Sequence, residues 1–127
     1  MDVSVVHGYL KRSYWAKGID EDVVRRSLDA SLCVGLFAQD QQVAFARIIT
    51  DYATFAYLAD VFVLEDHRGK GLSKVMLNYL VDHPRLQGLR RWALFTKDAQ
   101  GLYSQFGWSQ YPWPERMMIR EFPDIYA

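Results

Sequence analysis

The sequence is poor in cysteine. One thiol, Cys33, in 127 residues cannot close an intramolecular disulfide. It lies in the apolar run Leu32-Cys33-Val34-Gly35-Leu36-Phe37, where a free cysteine reads as a buried, inert side chain. Net charge is lacking as well. Fifteen Lys and Arg balance fifteen Asp and Glu, so no global field draws the chain to nucleic acid or to an anionic membrane. No apolar stretch approaches the roughly 20 residues of a membrane span. Met1-Asp2-Val3-Ser4 has neither the basic start nor the apolar block of a signal peptide. The expectation is a cytoplasmic protein with neither a nucleic-acid nor a membrane partner. His7, His67 and His83 are dispersed, and no Cys, His and acid cluster has metal-ligand spacing, so no metal is expected. There is no repeat, low-complexity tract or linker to divide the chain, which reads as a single domain over residues 1–127.

What is present is material for a core: half the residues are hydrophobic, with seven Phe, eight Tyr and four Trp. Such a content argues against disorder. Residues 3–6 read weakly as a strand. Asp20 can cap a helix whose first turn holds Glu21 and Asp22 and whose apolar face carries Val23, Val24 and Leu28. Leu32 to Ala38 and Val43 to Thr50 read as an antiparallel hairpin around the polar tip Gln39-Asp40-Gln41-Gln42. Phe55 to Leu64 is almost wholly apolar, as a central strand buried on both faces would be. Leu72, Val75, Met76, Tyr79 and Leu80 then fall at helical spacing, and His83-Pro84 ends that helix. Arg91 to Thr96 reads as a strand, Asp98 as the cap of a short helix closing at Gly107, and residues 108–111 and 117–121 as two last strands. Hairpins mixed with one strand-helix-strand crossover imply an α/β fold with a mixed sheet.

The informative segment is the passage from that long strand into the helix, Glu65-Asp66-His67-Arg68-Gly69-Lys70-Gly71-Leu72-Ser73-Lys74. Backbone N–H groups in such a turn converge on an anion, and the helix N-terminus adds positive potential. Glycines allow positive φ and close approach of a ligand. The segment is not a nucleotide P-loop, and Lys74 spoils the Gly-x-Gly-x-x-Gly dinucleotide pattern. An ordinary solvated loop would also account for a single Gly-x-Gly.

Arg68-Gly69-Lys70-Gly71-Leu72-Ser73 resembles the signature of the GNAT superfamily of acyl-CoA N-acyltransferases: Arg or Gln, two variable residues, Gly, one variable residue, then Gly or Ala. Ser73 is the departure. Some thirty residues on, Asp98-Ala99-Gln100-Gly101-Leu102-Tyr103-Ser104-Gln105-Phe106-Gly107-Trp108 is similar to that family's alanine, leucine-tyrosine and phenylalanine-glycine-aromatic segment. Together the likeness covers Phe55 to about Met118. It implies a mixed, mostly antiparallel sheet of about six to seven strands with flanking helices and a splayed central strand pair.

The resemblance also implies roles. Main-chain groups of Val61, Phe62 and Val63 would pair with the pantetheine of acetyl-CoA, and Arg68, Gly69, Lys70, Gly71, Leu72 and Ser73 would hold its pyrophosphate. Tyr103 matches the tyrosine that often protonates the departing thiolate; a phenol is protonated at neutral pH and can donate without tuning. The acceptor amine must lose a proton, and Asp60, a carboxylate inside an apolar strand, is a candidate base or else the ion-pair partner of an arginine such as Arg47. Trp15, Asp51 and Tyr57 are candidates to line the acceptor site. The implied activity is direct acetyl transfer from acetyl-CoA, as co-substrate, to a small-molecule or peptide amine. A catalytically silent acyl-CoA-binding module on the same fold is the alternative. Homodimerisation, common in that family, has no signature readable in the sequence.

Overall fold

The computed structural model describes residues 1–127, and its chain begins with a helix where the sequence suggested a strand. In α1, Val3–Leu10, the Asp2 carboxylate accepts from the backbone N–H groups of Ser4 (3.0 Å) and Val5 (3.2 Å). This satisfies donors that a helix start leaves free. Val6 and Leu10, one turn apart, are both fully buried. The cap and the burial outweigh the strand preference of the valines. Helix α2, Glu21–Asp29, follows Asp20 as expected, but the Asp20 side chain makes no capping bond. Glu21 and Asp22 in the first turn instead complement the helix dipole.

Strands β1, Leu32–Ala38, and β2, Gln41–Thr50, form the expected hairpin. Its tip is shorter than four residues, because pairing begins at Ala38 opposite Gln41. Gln39 (φ 51°) and Asp40 (φ 66°) both take the left-handed conformation that a two-residue hairpin requires. Strand β3, Phe55–Val63, runs antiparallel to β2. Helix α3, Leu72–Val81, then returns the chain so that β4, Arg91–Ala93, lies parallel to β3. The last helix, α4, is Gln100–Ser104. The sheet order is β1-β2-β3-β4.

Four strands replace the six to seven expected. Besides the N-terminal segment, residues 108–111 and 117–121 are not strands, since they make no backbone ladder with the rest of the sheet. Asp98 does not cap α4; the Thr96 hydroxyl accepts from the Ala99 N–H instead (3.0 Å).

Alternation along β2 builds two cores. Ala44, Ala46 and Ile48 pack with Leu58 and with Met76, Leu77 and Leu80 of α3. Phe45 points the other way and meets Phe62, Val6, Leu10 and Val24 beneath α1 and α2. Burial of each such large apolar side chain contributes about 1.5–3 kcal/mol. Two features of β3 prepare the site. Its pairing with β4 stops at Tyr57 opposite Ala93, while the strand continues to Val63, so the two strands part. In addition, β3 carries one extra residue against β2 between the Arg47–Ala59 and Phe45–Phe62 pairs. Asp60, at φ 57°, sits in this bulge.

Candidate active site

Where β3 and β4 part, a cleft of about 710 Å³ opens. One wall is Val61, Phe62 and Val63; another is Arg68, Gly69, Gly71, Leu72 and Ser73 of the turn; Leu102 and Tyr103 of α4 close it from the far side. Segments distant in sequence are thus gathered at one cleft. Lys70 alone among the turn residues singled out does not line it.

The turn can receive an anion. Gly69 (φ 79°) and Gly71 (φ 76°) are left-handed, and Gly71 starts α3 without any side-chain cap. From Gly69 to Lys74 no backbone N–H finds a partner in the chain; the first helical bond is Val75 N–H to the Gly71 carbonyl (3.2 Å). A Cβ built on Gly69 or Gly71 would meet nothing within 4 Å, so the space over the turn is open. Free donors, the helix dipole and open volume suit a pyrophosphate. Arg68 is already engaged: its Nε donates to the Val63 carbonyl (3.1 Å) and its Nη2 to the Tyr9 hydroxyl (2.8 Å). It ties the turn to the end of β3. Glu65 stands at the rim, 3.5 Å from Arg12 and 4.0 Å from Arg68. A hydrogen bond from its own backbone N–H holds its carboxyl below the usual range, and the two arginines add to this.

Tyr103 is partly buried, and its hydroxyl bonds to no other group of the chain. Its ring meets Trp108 edge-on (6.0 Å, 70°), and Trp108 in turn meets Trp92 (5.8 Å, 87°), so aromatic packing fixes its direction. The Trp108 Nε1–H is buried without a partner. Burial, with Tyr14 adding, raises the Tyr103 phenol above its ordinary value. It therefore carries its proton at neutral pH.

Asp60 does not line the cleft but touches it through one residue. Trp15, which does line it, donates its indole N–H to Asp60 Oδ1 (2.8 Å). Arg47 donates to Oδ2 from Nε (3.0 Å) and Nη2 (2.9 Å), and its Nη1 reaches the Ser31 hydroxyl (3.1 Å). Of the two roles open to Asp60 in the sequence, the ion pair with Arg47 is present. Tyr57 lies further along β3, its ring edge-on to Phe95 at 6.1 Å; burial first, then Asp60, raises its phenol. Asp51 stands apart in the β2–β3 turn. Its carboxylate accepts from the N–H groups of Ala53 (2.9 Å) and Thr54 (2.8 Å) and from the Thr54 hydroxyl (2.7 Å), bonds that hold its carboxyl far below the usual range. That is the work of a turn-forming side chain.

Sequence reasoning missed Tyr9 and Arg12, which line the cleft. Tyr9 stacks on Phe62 at 4.2 Å and 8°. Reading Asp2 as a helix cap would have found it, since Tyr9 then follows Val6 on the same side of α1.

Residues 4–108 match the model of the acetyltransferase (GNAT) family. A curated protein of Gibberella zeae, provisionally named an acetyltransferase, is 33% identical over 113 residues. The match takes in 72% of this chain and 63% of that relative, so the chain spans less than two thirds of its length. Among solved structures, a Xanthomonas campestris protein provisionally assigned as a GNAT-family acetyltransferase is 48% identical, with a TM-score of 0.98 over 100% of this chain and 90% of that one. A Clostridium acetobutylicum protein described as a predicted acetyltransferase, solved with acetyl-CoA, shares the fold at 17% identity and a TM-score of 0.67, covering 87% and 86% of the two chains.

Proposed function

The chain belongs to the acetyltransferase (GNAT) family, and we propose that it moves an acetyl group directly from acetyl-CoA to an amine. The single observation that carries the reading is the meeting, at one cleft, of an unpaired N–H turn with a protonated tyrosine. The open volume over Gly69 and Gly71 and the free donors from Gly69 to Lys74 fit a diphosphate. Beyond Tyr57 the edge of β3 that faces β4 is unpaired, and there the main chain of Val61 fits an extended amide chain; Phe62 is paired with Phe45 of β2, and the Val63 carbonyl is already taken by Arg68. Acetyl-CoA, when bound, supplies an activated acyl group as a thioester. The relative solved with acetyl-CoA supports the choice of donor.

In this reading the residues of the chain divide the work. The turn and β3 hold the thioester against the β3–β4 gap, which turns an encounter of two reactants into a positioned one. The amine nitrogen forms a bond to the carbonyl carbon while the carbon–sulfur bond breaks. Tyr103 gives its phenolic proton to the leaving sulfur. The proton lost by the amine passes to water and, through it, restores the Tyr103 phenol. We assign Asp60 the task of fixing Trp15, since Arg47 and Trp15 already occupy both of its oxygens. Trp15 and Tyr57 are assigned to the acceptor side. No cysteine enters the mechanism, consistent with transfer in a ternary complex rather than through an acyl-enzyme.

Two measurements test this. CoA should raise the melting temperature and ATP should not, because a ligand selective for the folded state adds to its stability. Thiol release from acetyl-CoA should then depend on an added amine, drawn from amino acids, polyamines and short peptides. Stabilisation by CoA without release from any amine would favour the silent binding module; no stabilisation by CoA would remove the reading altogether.

A further inference from the structure

The sheet face beneath α1 and α2 is only half covered. Paired residues of a sheet share a face, as do alternate residues of one strand. By that register Phe45, Arg47 and Ile49 of β2 stand with Phe55 and Tyr57 of β3 and with Arg91 and Ala93 of β4. Phe95 follows on the same side, its ring edge-on to that of Tyr57. The helices bury Phe45 completely. Ile49, Phe55 and Phe95, by contrast, are 44%, 37% and 59% exposed. The core under α3 is filled from the opposite face by Ile48, Ala56 and Leu58, so the bare side chains are no part of it.

This apolar patch runs into the acceptor side of the cleft. Just beyond Phe95, the Lys97 ammonium lies 5.4 Å from the centre of the Tyr14 ring, and Tyr14 meets Trp15 edge-on (5.1 Å, 80°). Tyr14 and Trp15 both line the cleft, and Asp60, further along β3 than Tyr57, holds Trp15 in place. Rings therefore follow one another from Phe95 and Tyr57 to Trp15.

The charges around the patch cancel. Arg47 is taken by Asp60. Burial and Asp60 raise the Tyr57 phenol, Arg47 opposes them, and Glu121 adds to the rise, so the Glu121 carboxylate stands near this ring. Arg91, opposite in sign, lies 5.8 Å from the Tyr111 ring. A polyamine would need several free carboxylates and a sugar phosphate several free cations. The face itself holds neither set.

We propose that the acceptor is a monoamine carrying an aromatic ring, whose body lies on Ile49, Phe55, Tyr57 and Phe95 while its nitrogen enters the cleft past Trp15. The inference rests on the acetyl-transfer reading and names the acceptor class for it. An exposed apolar patch beside a cleft marks a binding surface, and aromatic rings gain from edge-on or offset packing beyond the area they bury. The faces of Trp15 and Tyr57, with Glu121, attract a single ammonium. As the amine leaves water among these rings its neutral form is favoured, and that is the form that attacks a thioester.

Calorimetric titration of the full chain saturated with CoA provides the test, with phenethylamine, ethylamine and spermidine as probes. Phenethylamine is expected to bind at least about tenfold tighter than ethylamine, and spermidine no tighter than ethylamine. Phe95→Ala, at a position too exposed to unsettle the fold, should cost phenethylamine about fivefold more than it costs ethylamine, and Phe95→Tyr should keep most of the wild-type affinity. In turnover with acetyl-CoA the same loss should appear in KM for phenethylamine rather than in kcat. Equal affinities for phenethylamine and ethylamine, a preference for spermidine, or a Phe95→Ala variant that loses nothing would each overturn the proposal. Failure of the donor reading shows separately, as no stabilisation by CoA before any amine is added, and the titration repeated without CoA then still decides the patch.

Discussion

Asp60 and Arg47 face each other across β3 and β2 at 2.9 Å, with only 12% and 14% of their side chains exposed. The bulge makes the pair: the extra residue in β3 turns Asp60 to φ 57° and aims its carboxylate at the neighbouring strand. Removing one member leaves the other charge buried and alone, which costs about 3–5 kcal/mol. Asp60→Ala is therefore expected to lower stability by about that amount in chemical denaturation. The double variant Arg47→Leu with Asp60→Leu should recover much of the loss, since a matched apolar pair can replace a buried ion pair. Equal losses in the single and double variants would mean that the bulge itself, and not the pair, needs the carboxylate.

Gly71 tests the anion-binding turn. A valine there must adopt φ near 76°, a strain of roughly 1–2 kcal/mol, and its side chain would project into the open space over the turn. Gly88, at φ 78° with nothing near it and outside the lining of the cleft, carries a comparable backbone cost and serves as the control. CoA at about a hundred times its dissociation constant should stabilise the wild type by about 2.7 kcal/mol. Thermal shifts should keep that gain in Gly88→Val and lose most of it in Gly71→Val. An undiminished shift in Gly71→Val would place the pyrophosphate elsewhere.

How much of this was legible beforehand depends on range. Local patterns carried far: the hairpin, the long β3 and the presence of α3 were readable because alternation and helical spacing are local signals, although α3 buries Met76, Leu77 and Leu80 and leaves Val75 and Tyr79 of the expected face exposed. So was the turn, because glycine spacing and helix onset are adjacent in sequence. The N-terminal helix was misread, since its cap is a single aspartate followed by valines that prefer strands. Residues 117–121, three apolar side chains followed by two charged ones, were read as a strand without any alternation to support it, and a strand needs a neighbour that this short run does not name. The partners of Asp60 lie 13 and 45 positions away. Arg47 could be named from chemistry, but Trp15 could not.

Tyr103→Phe separates a proton donor from a packing ring. The ring contacts with Trp108 survive in phenylalanine, so the fold and CoA affinity should hold. Loss of general-acid assistance is typically worth 10²–10⁴-fold, and the expected fall in kcat is about 10²-fold with KM for acetyl-CoA little changed. A kcat that stays within a factor of about three would give the proton to another group, leaving Tyr103 as a wall of the cleft.

Alkaline pH offers a last, activity-free measure of the same residue. Tyr57 and Tyr103 both have phenols raised chiefly by burial. A raised value means that the folded state holds the proton more tightly than the unfolded chain. That contribution is complete below the unfolded value near 10, and it declines as pH climbs through the folded value. Melting temperature should thus fall as pH rises beyond about 10, where the unfolded chain ionises first. Tyr103→Phe removes one of the two groups, so its decline should be shallower than that of the wild type, and Tyr57→Phe should act likewise. Parallel curves for wild type and Tyr103→Phe would mean that the phenol is as free to ionise in the fold as in the open chain, and would weaken its placement in a partly desolvated cleft.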